Sequence, residues 1–140
     1  MSIQFFFIET AVKLQERRRL KIFIDQLFIS YKHPYKQLTI VFCTDTYLLD
    51  INKQFLNHDY FTDIITFNLA GLKLPIEGEI YISIDRVKDN ATIHQVSLKE
   101  ELHRIIFHGV LHLCGFSDKK PKHKLAMTAA EDICLHEYFK

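Results

Sequence analysis

The chain alternates between short β-branched or aromatic runs and longer amphipathic ones. Ile3 to Ile8 is aromatic and β-branched and predicts a first strand. Lys13 to Tyr31 predicts a helix, because Leu20, Phe23, Ile24, Leu27 and Phe28 recur at helical spacing among Arg, Lys and Asp. His33-Pro34 ends it, since the residue before a proline avoids the helical region. Leu38 to Cys43 reads as a second strand. Thr44 or Asp45 caps a second helix with an apolar stripe of Tyr47, Leu48, Ile51 and Phe55. After an irregular connector over residues 57–63, Ile64 to Phe67 predicts a third strand, Gly71 to Gly78 a loop, and Glu79 to Ile84 a fourth strand. Asp85 to His94 reads as a short polar helix. Ser97-Leu-Lys-Glu100 is a capping box that opens a helix running to Cys114, and Met127 to Tyr138 predicts the last helix. The pattern predicts one domain over residues 1–140 of mixed α/β or α+β class, with about four strands in a mixed sheet, flanked by about five helices.

Composition agrees with a single packed core. The chain has 140 residues, of which 48% are hydrophobic, and only 4 Gly and 3 Pro, too few for a disordered or repetitive chain. Its formal net charge of +1 gives no overall basic signature of a nucleic-acid binder. Local charge is another matter: Arg17, Arg18, Arg19 and Lys21 form one basic cluster, and Lys119, Lys120, Lys122 and Lys124 another, although a charge run is most often a solvated face. Cys43, Cys114 and Cys134 sit in apolar segments without C-x-x-C spacing, which suits small core residues in a reducing compartment. The N-terminus lacks a basic region and a small-residue cleavage site, and no apolar run reaches the length of a membrane span. A soluble, cytoplasmic protein is expected.

The chemistry concentrates in His108-Gly-Val-Leu-His112-Leu-Cys-Gly-Phe-Ser-Asp118. Histidines four apart share a helix face, roughly 6 Å apart at Cβ, and can converge on one metal ion. Gly115 can take the left-handed conformation that ends the helix and turns Asp118 back as a third donor. Two histidines and a carboxylate with an open fourth position describe a catalytic zinc site. Such a pair on a surface helix is often only a polar face, but Leu102, Ile105, Ile106, Val110, Leu111 and Leu113 make this helix apolar on most sides. Gly109 stands where an H-E-x-x-H protease carries its glutamate base, which disfavours that chemistry. His103 lies about 140° round the helix from His108 and should point away. His33, His94 and His136 read as surface or locally bonded residues.

Three motifs in order then carry a resemblance over most of the chain. His108-Gly109-x-Leu111-His112-Leu113-x-Gly115-Phe116, the segment Asn52 followed by Phe61-Thr62-Asp63-Ile64-Ile65-Thr66-Phe67, and Gly78-Glu79-Ile80 resemble the signatures of the YbeY family of metal-dependent endoribonucleases of ribosomal RNA maturation. The resemblance implies single-strand-specific cleavage of RNA, action at the 3′ end of the 16S rRNA precursor, association with the ribosome or small-subunit proteins, and one zinc ion held by His108, His112 and Asp118. Asp118 stands where the family carries a third His. Carboxylate is an acceptable zinc ligand, but its charge lowers the Lewis acidity of the ion. His123 is the alternative third donor if the loop folds back. Leu56 stands where the family carries an Arg that faces the substrate, and Leu cannot contact phosphate. Such an ion can lower the pKa of a water or polarise a phosphoryl oxygen. Glu79, Asp63 and His58 lie in the matching motifs and are candidate bases, none singled out. Thr62 and Asp63 are expected to shape the wall of the site, or simply the turn. A second reading is an RNA- or ribosome-binding assembly factor with a structural or weakly catalytic metal. Hydrolysis of a small substrate is a third, because an open metal position is not specific to RNA.

Overall fold

The computed structural model describes residues Ser2–Lys140, so Met1 of the expected 1–140 domain lies outside it. The elements follow in the order β1 (Ser2–Phe7), α1 (Arg17–Ser30), β2 (Tyr35–Cys43), α2 (Asp45–Leu56), β3 (Ile64–Asn68), β4 (Ile76–Ser83), α3 (Ile84–His94), α4 (Leu98–Leu113) and α5 (Pro121–Phe139). The strands form one mixed sheet in the order β1-β2-β4-β3, parallel except for β3, which runs antiparallel to β4. The expected mixed sheet with five helices is what the chain forms.

Register decides which face is the core. Phe5 pairs with Ile40, Ile40 with Ile80, and Ile80 with Thr66, so these four point to one side. Leu38, Ile40, Phe42, Ile80 and Ile82 on that side are fully buried, under Leu20, Ile24 and Phe28 of α1, Ile106, Phe107 and Val110 of α4, and Tyr138 of α5. The opposite side carries a smaller cluster of Cys43, Leu48 and Ile65, covered by α2. All three cysteines are free and buried, as small core residues. Burial raises the Cys43 and Cys114 thiols to about 12.

Four boundaries differ from the expectation by three residues or more, the first being β2, which begins at Tyr35 and not Leu38. Helix α1 begins at Arg17 and not Lys13, behind Glu16, which takes a left-handed φ of 52° and gives no side-chain cap. Leu14 is spent as a buried anchor in the preceding loop. Helix α5 begins six residues before Met127. Pro121 fits its first turn, where a missing N–H costs nothing, and the exposed Lys122 to Ala126 turn lacks the apolar stripe that reveals a helix. Strand β4 begins at Ile76, because Gly78 belongs to the strand, where a Cβ would lie 2.7 Å from Leu113 of α4.

Helix α4 opens as its capping box predicts: Ser97 Oγ accepts from the Glu100 N–H at 3.0 Å. It closes with the paired bonds Phe116 N–H to Leu111 C=O (3.1 Å) and Gly115 N–H to His112 C=O (3.0 Å), with Gly115 at φ 100°. The ring of Phe116 meets Tyr31 edge-on at 5.3 Å and fixes the direction of the exit. In the middle of the helix Gly109 lies against the sheet. A Cβ there would come within 2.8 Å of Ile80 Cδ1 and 3.1 Å of Ile64 Cδ1.

Two predictions follow from this packing. Gly109→Ala gains helix propensity of up to about 1 kcal/mol but must displace fully buried Ile80, and overpacking costs about 1–3 kcal/mol. The variant is expected to unfold at lower urea, by about 1 kcal/mol net, with an unchanged slope. The second concerns His103, which is buried, stacks on Tyr138 and donates from Nδ1 to the Lys99 carbonyl at 2.7 Å. Burial lowers its pKa, the charges of Lys99 and Arg19 add to this, and the Lys99 carbonyl and Glu16 oppose it. The folded form therefore holds a neutral ring. That stability is complete above the unfolded-chain pKa of about 6.5 and is lost as pH falls through it towards the folded value. Thermal melts between about pH 7.5 and 5 should show the wild type losing a few degrees more than His103→Phe.

Candidate metal and phosphodiester cleft

Helix α4 carries a line of polar side chains, Glu101, Arg104 and His108, at helical spacings of three and four. That line faces a cleft. Its other walls are Thr62 and Asp63 at the start of β3, Asn90 and His94 from α3, Asp118 from the loop after α4, and Glu131 from α5.

His108 stands at the centre. Its Nδ1 lies 2.6 Å from Glu131 Oε2, and its Nε2 lies 3.4 Å from Asp118 Oδ2. An ionised glutamate only accepts, so Nδ1 carries the proton and Nε2 is turned towards Asp118. Glu131 is buried, and its second oxygen accepts from Arg104 Nη1 at 2.9 Å; Arg104 Nη2 reaches the exposed Asp132 at 2.6 Å. Arg104, Glu131 and His108 thus form one chain linking α4 to α5. On the far wall Asp63 accepts from Asn90 at 3.2 Å, and Glu101, itself buried, meets His94 at 3.5 Å. Burial by itself would lower the His108 pKa. The bond to Glu131 and its charge, followed by the charges of Asp118 and Asp63, outweigh burial and raise it.

The facing pair His108 Nε2 and Asp118 Oδ2 fits a cation. With metal–ligand distances of about 2.1 Å, the N···O edge of a tetrahedral zinc site spans about 3.4 Å, which is the separation observed. The Nδ1–H donated to a carboxylate is the usual support of a metal-binding histidine. His112, one turn further along α4, is exposed, and no side-chain hydrogen bond or ion pair involves it among the described residues. No group of three His, Cys, Asp or Glu side chains is close enough to hold an ion among those residues. The structure thus brings two of the three expected ligands together and leaves the third on the same helix, outside the cleft. His123 lines a separate hollow with Gly115, Phe116 and Ala126, and among the described residues no hydrogen bond or ion pair joins it to His108 or Asp118.

Of the base candidates, only Asp63 lines the cleft. Glu79 points to the opposite side of the sheet from Ile80, accepts from the Tyr81 hydroxyl at 2.9 Å, and borders a hollow with Gln37 and Thr39. His58 stacks on Tyr60 in the loop after α2. His103 points into the core, as its angle from His108 predicts. Glu101, Arg104, Asn90 and Glu131 were not singled out by the sequence reading. The signal for the first two was present, as charged residues at helical spacing from His108 in an apolar helix. For Asn90 and Glu131 there was none, since only the fold brings α3 and α5 to that face.

Fold and cleft together define a mixed α/β protein with a histidine–carboxylate centre at the end of a buried helix. The family model described as Endoribonuclease YbeY matches residues 8–139, and the chain belongs to that family. It is similar to Endoribonuclease YbeY of Cytophaga hutchinsonii, at 46% identity over 96% of this chain and 94% of that protein. The protein of the same name in Flavobacterium psychrophilum is 40% identical over 89% of this chain and 88% of the relative. The solution structure of TM1509 from Thermotoga maritima shares the fold, with a TM-score of 0.62 and 24% identity over 98% of this chain and 89% of that one. No described helix is long and apolar enough to cross a membrane.

The cleft predicts unequal roles for adjacent carboxylates. Glu131→Ala removes the shared acceptor of His108 and Arg104 and should destabilise the protein by about 2 kcal/mol in urea unfolding. Asp132→Ala removes only an exposed partner of Arg104 and should cost clearly less.

Proposed function

We propose that this protein is a zinc-dependent endoribonuclease specific for single strands, acting in late 3′-end maturation of 16S rRNA and in ribosome quality control in the cytoplasm. The observation that carries the reading is His108, held between Glu131 and Asp118 in the cleft of a chain that belongs to the YbeY family. The relatives named Endoribonuclease YbeY support RNA as the substrate class.

In this reading His108, His112 and Asp118 would hold one zinc ion, which would supply Lewis acidity at a phosphoryl oxygen. Glu131 fixes the tautomer and plane of His108, and Arg104 fixes Glu131. Asp63 is the carboxylate positioned to take a proton from an attacking nucleophile, with Asn90 holding its orientation. Lys119, Lys120, Lys122 and Lys124 make no ion pair among the described residues and follow directly on Asp118, so they are the cations available to RNA phosphates. In the other basic cluster, Arg17 and Arg19 lie over Phe7 and Tyr138 and are partly committed to the protein.

The second reading, an assembly factor that binds RNA or the small subunit around a structural or weakly catalytic metal, is favoured by one observation. Leu56, where the family carries Arg, is a partly exposed apolar side chain, so the cation expected to face the substrate is missing.

Elemental analysis after reconstitution is expected to find about one zinc per chain, lost in His108→Ala and Asp118→Ala and weakened in His112→Ala. Glu131→Gln should weaken zinc binding about 10- to 100-fold. Chelated wild type should bind single-stranded RNA without cutting it, with affinity falling steeply with salt. Stoichiometric zinc and RNA binding without any cleavage would favour the assembly factor; absence of zinc after reconstitution would defeat the metalloenzyme reading.

A further inference from the structure

The connector between α2 and β3 exposes aromatic rings beside the cleft. Phe55 at the end of α2 is 65% exposed, and Tyr60 and Phe61 in the loop are 56% and 49% exposed. Three rings left about half in water within seven residues form a cluster that calls for an explanation.

The backbone that carries them is held firmly. Asn52, 2% exposed, donates from Nδ2 to the Tyr60 carbonyl at 2.8 Å, and its own carbonyl accepts from the His58 N–H at 3.1 Å. The loop is therefore tied to α2 from beneath, and its side chains point outwards. Two of the rings already carry planar partners. The His58 imidazole lies on Tyr60 at 5.0 Å and 20° between planes. The Arg86 guanidinium lies 5.0 Å over Phe61, fixed there by Asp45 at 3.1 and 3.2 Å. Of the acidic neighbours, Asp45 pairs with Arg86 and Asp59 with Lys53 at 3.5 Å, while Asp63 accepts from Asn90.

Position supplies the occupant. Phe61 immediately precedes Thr62 and Asp63, which line the cleft with His108. Three residues of extended chain span at most about 11 Å, so Tyr60 lies within a nucleotide or two of Asp63. We propose that Tyr60 and Phe61, braced by His58 and Arg86, form a stacking platform for unpaired bases of the RNA strand that flanks the scissile phosphate. The proposal rests on the endoribonuclease reading. It adds a physical basis for single-strand preference: a duplex keeps its base faces stacked, whereas unpaired bases offer theirs to aromatic rings and guanidinium planes. The rings adjoin Thr62 and Asp63, which line the cleft, so the strand itself is the occupant that the position favours.

The test uses the chelated protein and an unstructured single-stranded RNA carrying 2-aminopurine. Stacking should quench the probe on binding to wild type. Tyr60→Ala and Phe61→Ala should each weaken binding about tenfold and lose part of the quenching. Their salt slopes should match that of wild type, because no phosphate contact is removed. Tyr60→Leu keeps an apolar side chain without a π face and should behave like Tyr60→Ala, while Tyr60→Trp should retain affinity. Wild-type affinity in both alanine variants, or full affinity in Tyr60→Leu, would overturn the platform and leave the nuclease reading intact. Failure of the wild type both to bind and to cleave RNA would instead defeat the nuclease reading, and the platform with it.

Discussion

At Gly109 the backbone of helix α4 packs directly onto the side chains of Ile80 in β4 and Ile64 in β3, and the site depends on that contact. A buried helix cannot freely carry charged groups, because each must find a partner away from water. The close approach over Ile80 and Ile64 fixes the rotation of the helix. With rotation fixed, the polar line Glu101, Arg104 and His108 faces the single direction in which α3, β3 and α5 leave a cleft. The Gly115 termination then returns the chain so that Asp118 faces His108.

The cleft is rich in anions. Asp63, Glu101, Asp118 and Glu131 face Arg104 and the histidines His94 and His108. Each carboxylate has a neighbour that makes it tolerable: Asn90, His94, His108 and Arg104. Among the loosest contacts, beside His94–Glu101 at 3.5 Å, is the one between His108 and Asp118. At 3.4 Å it is long for a charge-assisted hydrogen bond and suits two donors arranged about a common cation. Aspartate at 118 adds negative charge to this cleft, and in the proposed reaction a bound cation would be needed to offset it where a phosphate approaches.

Much of this could be read from the chain. Strand alternation, the Ser97 capping box and the Gly115 stop placed α4 within a residue, because each is a local signal with a local cause. The boundaries that failed lack such signals. Leu14 is apolar but serves a loop, and the first turns of α5 face water on all sides. In the site, His108 and Asp118, which the sequence singles out as candidate ligands, do face each other across the cleft. The sequence could not identify Glu131, which reaches His108 from 23 residues away. It named His112 with His108 by helical spacing and by the same motif; the two share a helix face, and His112 is the exposed one.

Leu56 and the rings that follow it bear on one question, how a chain without the family arginine would hold RNA. A guanidinium at that point would grip a phosphate whatever base it carried. An apolar surface rich in aromatic rings cannot do so, and whatever affinity it contributes must come through base faces. The task of gripping phosphate then passes to the lysines beyond Asp118. The two contributions differ in salt dependence, since lysine–phosphate contacts release counterions and stacking does not. If both operate, the substrate is held from two sides of His108: by its charge near Lys119 to Lys124, and by its bases near Tyr60 and Phe61. A double helix could satisfy the lysines but not the rings, so on this division of labour the discrimination between paired and unpaired RNA lies in the loop after α2.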